Sequence, residues 1–192
     1  MEWVDILLSI FLGIGLAAAV GFRVFLPLLV MSLAAHYDVI PLNESWQWMG
    51  SLTAVITLAV ATLVEVAGYY IPWLDNALDT IAIPLAAIAG TAVMVATVTN
   101  LDPIITWTLA IIAGGGTAAA VQGNTTAIRL GSTATTGGLA NSVVSTIEAG
   151  TSTVLAILSI FVPVLAFVCV LLIFFGLYKF YKKLRKKRNT TG

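Results

Sequence analysis

Apolar residues along the chain come in long unbroken runs, with no sign of the short alternation of half-buried strands. Five stretches stand out, at residues 4–35, 48–70, 81–99, 104–121 and 154–178. A helix that crosses a bilayer needs about 20 apolar residues, so each run predicts a membrane helix. The first run is longer than one crossing requires and contains Gly13, Gly15, Gly21 and Pro27. It is expected to tilt, kink or break, as membrane helices do where protein or a wet cavity satisfies the freed backbone groups. Residues 114–153 are different, being dense in Gly, Ala, Ser and Thr and interspersed with Gln122, Asn124, Arg129, Asn141 and Glu148. Small residues allow helices to pack closely in lipid. The stretch therefore predicts a polar membrane helix around residues 138–150, preceded by a broken or re-entrant segment, with a surface loop as the alternative.

The order of features occurs twice. Gly15-Leu-Ala-Ala-Ala-Val20 is echoed by Gly116-Thr-Ala-Ala-Ala-Val121, and an arginine follows each, Arg23 and Arg129. A glutamate comes next, Glu65 and Glu148, and then an apolar run with an internal proline, Pro84 and Pro163. The expected fold is all-α: a polytopic transmembrane helix bundle of about six crossings, built as two inverted three-helix repeats with broken or re-entrant segments. Three crossings per copy would set the second copy upside down relative to the first, an arrangement common in secondary transporters. Residues 1–178 would form one transmembrane domain, with repeat 1 at about 4–100 and repeat 2 at about 103–178. A basic cytoplasmic tail, 179–192, would follow.

Composition agrees with a lipid-embedded chain. Of 192 residues, 59% are hydrophobic and 9% charged, against about 25% charged in soluble domains. The net charge is zero, but seven of the nine Lys and Arg lie within 179–188. Basic residues directly after an apolar run mark a cytoplasmic end. Six crossings then place both termini in the cytoplasm, in what reads as a bacterial inner membrane. Glu2 and Asp5, with no early Lys or Arg, argue against a cleavable signal peptide. Trp46 and Trp48 fit an interfacial belt at the outer surface, and Trp73 one at the inner. The single cysteine, Cys169, excludes an intramolecular disulfide.

Four ionisable residues stand in apolar or small-residue surroundings: Arg23, Glu65, Arg129 and Glu148. Such groups cost about 2.5–3.5 kcal/mol each at a helix centre on insertion scales, and they usually face a protein interior or an aqueous path. Counting depth along the two repeats pairs Arg23 with Glu148 and Arg129 with Glu65. These pairs either lock the halves together or line a solute pathway. A break at Gln122–Thr126 would expose backbone groups beside Arg129, so Asn124, Thr125 and Asn141 join the candidate pathway. Half-helix ends with an arginine suit an anion or polar solute. Asp75 and Asp79, four apart, read as a solvated interfacial helix, and His36 as a loop residue that cannot hold a metal alone.

The strings Gly21-Phe-Arg-Val-Phe-Leu-Pro27 and Arg129-Leu-Gly-Ser-Thr-Ala-Thr-Thr-Gly-Gly-Leu-Ala-Asn141, followed by Val144-Ser-Thr-Ile-Glu148, resemble the signature stretches of a widespread family of small bacterial membrane proteins, catalogued as a domain of unknown function. The resemblance implies the membrane fold and carries no particular chemistry. The functional expectation is a small transporter or channel-like protein moving a small polar solute, anionic or a lipid headgroup, between the halves. The alternative is a structural or accessory membrane subunit that binds a partner protein, with its charged groups serving only as buried salt bridges. No enzyme is expected, since the sequence offers no second histidine and no nucleophile setting. No cofactor or metal is expected either. The expected partners are the lipid bilayer and the solute, with a second copy of the chain admitted and nucleic acid excluded.

Overall fold

In the computed structural model, residues 2–188 are described, apart from the side chains at 2, 72–76, 180, 181 and 183–188. The long apolar runs become helices, as a backbone in lipid must satisfy its polar groups within the segment. Helix α1, Glu2–Val20, is about 28 Å long at ~1.5 Å per residue. It ends at Gly21, where the chain packs so closely on residues 118 and 121 that a side chain would not fit. A Cβ on Gly21 would fall 2.5 Å from that of Val121 and 2.7 Å from the Ala118 carbonyl oxygen. After this break the chain turns back as α2, Phe25–His36. The loop that follows α2 returns to the N-terminal end of the bundle, where Ile40, Pro41 and Leu42 line one cavity with Asp5, Leu8 and Ser9.

A 3-10 helix, Glu44–Gly50, leads at a 65° bend into α3, Leu52–Gly68. The Ser51 side chain caps α3 by accepting from the Ala54 amide at 3.2 Å, which satisfies one of the orphan donors of the first turn. Helix α4, Pro72–Thr97, starts with proline at its first turn and carries Pro84 in its interior without ending there. Asp102 caps α5, Pro103–Leu109. A π-helical turn, Ala110–Gly115, joins α5 to α6, Gly116–Thr136. Gly137 (φ +64°) and Gly138 (φ +89°) then reverse the chain, using the left-handed backbone that glycine adopts freely. Helices α7, Asn141–Phe161, and α8, Pro163–Arg188, complete the bundle.

Among the described residues, four helical stretches are long and apolar enough to cross a membrane, α5 with the π turn and α6 counting as one, and the bent pair before α4 would make a fifth. Leu63, Ile104, Ile112 and Ile147 are among many large apolar side chains that project outward, as the lipid face of an integral membrane protein requires. Inside, small residues bring helices together. Gly90 of α4 and Gly114 of the π turn approach so closely that a Cβ on Gly90 would lie 2.8 Å from the Gly114 oxygen. Lipid offers no hydrophobic drive between helices, so close packing of this kind holds them.

Several expectations change. The apolar run 154–178 is two helices, because the chain breaks at Val162 and Pro163 opens α8. Helix α6 passes through Gln122–Thr126 without a break, so no re-entrant segment or loop occupies 123–136. The structure also sets the two small-residue runs parallel. Gly13 and Gly114 both pack on Met94, and Gly21 packs on Ala118 and Val121. Inverted copies would run them in opposite directions. Helix α8 starts where α1 starts, with Pro163 lining the same cavity as Asp5 and Phe167 stacked on Phe11 at 4.5 Å. It therefore carries its basic end toward the end of the bundle opposite the N-terminus. The expected placement of both termini on one side omitted the return of α2.

Candidate functional site

Arg23 lies in the break between α1 and α2, where a helix that ended one turn later would have carried it elsewhere. Arg129 comes from α6. Each is 1% exposed. Glu148 of α7 sits between them. Arg129 donates from Nε to both Glu148 oxygens at 3.2 Å and from Nη2 to Oε2 at 2.5 Å. Arg23 Nη2 is 3.5 Å from the same Oε2. It also donates to the Ser145 carbonyl oxygen at 2.9 Å and to the Ser145 hydroxyl. Charge-assisted bonds of this kind are about twice as strong as neutral ones, which offsets part of the cost of burying the ions.

Tyr69, the residue that ends α3, completes the cluster. The guanidinium carbons of Arg23 and Arg129 both lie over its ring, at 3.8 and 4.3 Å from the centroid. One aromatic quadrupole thus serves two cations. Asp79 of α4 stands 3.9 Å from Arg129 Nη1. Glu65, one helical turn before Tyr69, accepts from the backbone amides of Val24 at 2.7 Å and Phe25 at 3.0 Å. Those amides open α2, where unpaired donors and the helix dipole favour a negative charge.

The structure brings Arg23, Glu65, Arg129 and Glu148 together, and of the two expected pairs one forms, Arg23 with Glu148, and the other, Arg129 with Glu65, does not. Arg129 bonds to Glu148 and lies near Asp79 instead of Glu65, because the broken helix presents its amides to α3 and Glu65 binds those. The charges also share one region in place of two depths. Three further candidates bond elsewhere. Asn124 donates to the Ala120 carbonyl oxygen at 2.7 Å and Thr125 to that of Gln122 at 2.9 Å, both on α6 itself. Asn141 donates to Thr133 Oγ1 at 3.0 Å, across the turn between α6 and α7.

Tyr69, Ser145 and Asp79 were not anticipated as members. The signal for two of them was spacing: Tyr69 is four residues after Glu65 and Ser145 three before Glu148, which puts each on its partner's helix face. Asp79 belongs to the pair read as interfacial, and the side chain of its companion Asp75 lies outside the described residues, as does that of Trp73. His36, expected in a loop, is the last residue of α2 and bonds to the Gly50 carbonyl oxygen at 2.8 Å. The Trp46 and Trp48 rings stack at 6.0 Å. Among the described residues no cluster of His, Cys, Asp or Glu has metal-binding form.

At the N-terminal end, a cavity of about 790 Å³ opens between α1, α4, α7 and the loop after α2. Asp5, Ser9, Asn43, Glu44, Thr99 and Asn100 give it polar walls, and Leu8, Leu12 and Ile160 line it as well. Leu16, Ala17, Ala18 and Val93 are fully buried between this cavity and the arginine cluster, so the two ends are separated by packed side chains.

Compared with curated proteins and with solved structures, the chain shows no match. A family sequence profile matches residues 10–183, which takes in the second half of α1, the arginine cluster and most of α8. On that coverage the chain belongs to the family described as Domain of unknown function (DUF4126).

Proposed function

We propose that this protein is a small membrane transporter, moving a small polar solute between the N-terminal cavity and the arginine cluster. The observation that carries the reading is the pair of guanidinium groups held 1% exposed over one tyrosine ring within a bundle of membrane-length helices. Buried ionic groups in a membrane protein mark solute or ion paths by default. The polar cavity at one end, closed from the cluster by packed small residues, fits an occluded path that opens to one side at a time. In this reading the basic end of α8 faces the cytoplasm, the cluster lies toward that side, and the cavity opens outward. The pathway needs no inverted symmetry.

The extent of bonding between Arg129 and Glu148 favours a second reading, an accessory subunit whose ion pairs serve only the fold. Reconstituted vesicles separate the two. Purified protein is placed in liposomes and the uptake of labelled acetate, phosphate and glycine is followed against empty liposomes. We expect flux for at least one solute, reduced at least about tenfold in Arg23→Gln, a change of about 1.4 kcal/mol or more in transition-state free energy. No flux above the empty liposomes, or wild-type flux in a folded Arg23→Gln, would remove the transport reading.

A further inference from the structure

The bonding of the two arginines is unequal. Arg129 grips Glu148 through two nitrogens. Arg23 shares that carboxylate from 3.5 Å and makes its hydrogen bonds to Ser145, all through Nη2. Among the described residues its Nε and Nη1 have no hydrogen-bond acceptor, although the side chain is buried. A guanidinium carries five N–H donors in a fixed plane, so three of them, one on Nε and two on Nη1, are unused here. A buried donor without an acceptor is unfavourable, and more so on a charged group. The other acid at the break, Glu65, is engaged by the Val24 and Phe25 amides.

From this we infer that Arg23 is the binding residue for an oxyanion, a carboxylate or phosphoryl oxygen, received on its Nε and Nη1 beside Tyr69. The planar fork of arginine suits such groups, and a lysine cannot reproduce it. Tyr69 keeps the guanidinium plane in place from below while its edge takes the anion. Glu148 competes with that anion for Arg23, which makes binding weak enough to reverse. The same chemistry could arrive as a free solute or as the phosphodiester of a lipid. As a binding site the inference stands on the geometry; as the solute site it rests on the transport reading.

The test is thermal unfolding of the purified full chain in neutral detergent, since a ligand that binds the folded state raises the unfolding temperature by mass action. Sodium acetate and sodium phosphate are titrated against sodium chloride at matched ionic strength. In a parallel arm, phosphatidylglycerol is added against phosphatidylcholine. We expect an oxyanion to stabilise the wild type beyond chloride. Its half-saturating concentration should rise about tenfold in Arg23→Lys, which keeps the charge and loses the fork, and fall in Glu148→Gln, which removes the competitor. Stabilisation by acetate or phosphate identifies a free solute, and stabilisation by phosphatidylglycerol alone identifies a lipid headgroup. Equal stabilisation by oxyanions, lipids and their controls in the wild type overturns the site. So does an unchanged half-saturation in either folded variant. Binding without flux would keep the site and remove the transport reading, and flux indifferent to Arg23→Lys would do the reverse.

Discussion

Tyr69 lies under both guanidinium groups, a role the sequence hides. A tyrosine near the end of an apolar helix reads as an interfacial anchor, and only its distances to Arg23 and Arg129 reveal another role. Cation–π contacts in desolvated sites are worth about 2 kcal/mol or more each. We therefore expect Tyr69→Leu, which removes both contacts, to lower stability by about 4 kcal/mol, and Tyr69→Phe, which keeps the ring, to stay close to wild type. Unfolding of the two variants in the same detergent compares them directly. The four ionisable residues were legible because a charge in an apolar run has few affordable surroundings. Of their partners only the Arg23–Glu148 contact was, since Glu65 bonds to backbone amides and Arg129 to Glu148 instead of Glu65.

At the scale of elements, the small residues decide where helices meet and where one ends. Gly90 faces Gly114 and Ala118 so closely that a Cβ there would sit 2.5 Å from that of Ala118. Gly116, two residues from Gly114, has open space where its Cβ would be. Gly90→Ala should destabilise by about 1–3 kcal/mol through overpacking. Gly116→Ala should be neutral or stabilising by up to about 1 kcal/mol, as alanine is the better helix former. The same unfolding measurement checks both, and equal effects would show that the contact is not tight. The expected break in α6 failed for a local reason. Asn124 and Thr125 turn their side chains onto the helix backbone, so the polar string continues the helix it was expected to interrupt.

For the whole molecule, the return of α2 sets the topology. It adds one pass through part of the bundle, so the basic end of α8 and the start of α1 lie at opposite ends. The N-terminal end carries Asp5, Asp38, Glu44 and Asp102, and in sequence no Lys or Arg falls near them. From this asymmetry we propose that the basic end faces the cytoplasm. In a Cys169→Ala background, Glu44→Cys and Lys182→Cys should therefore react with an impermeant maleimide from opposite faces of sealed vesicles. Labelling of both from one face would contradict this arrangement.

Composition and run length alone determined that the chain is helical and membrane-embedded, because the bilayer admits few ways to satisfy a backbone and penalises every stray charge. They also singled out Arg23, Glu65, Arg129 and Glu148. Tertiary structure decided the pairing, the direction of each helix and the place of Tyr69. Those depend on where α1 breaks, and at that break Gly21 packs on Ala118 and Val121, about a hundred positions away, an encounter no local pattern records.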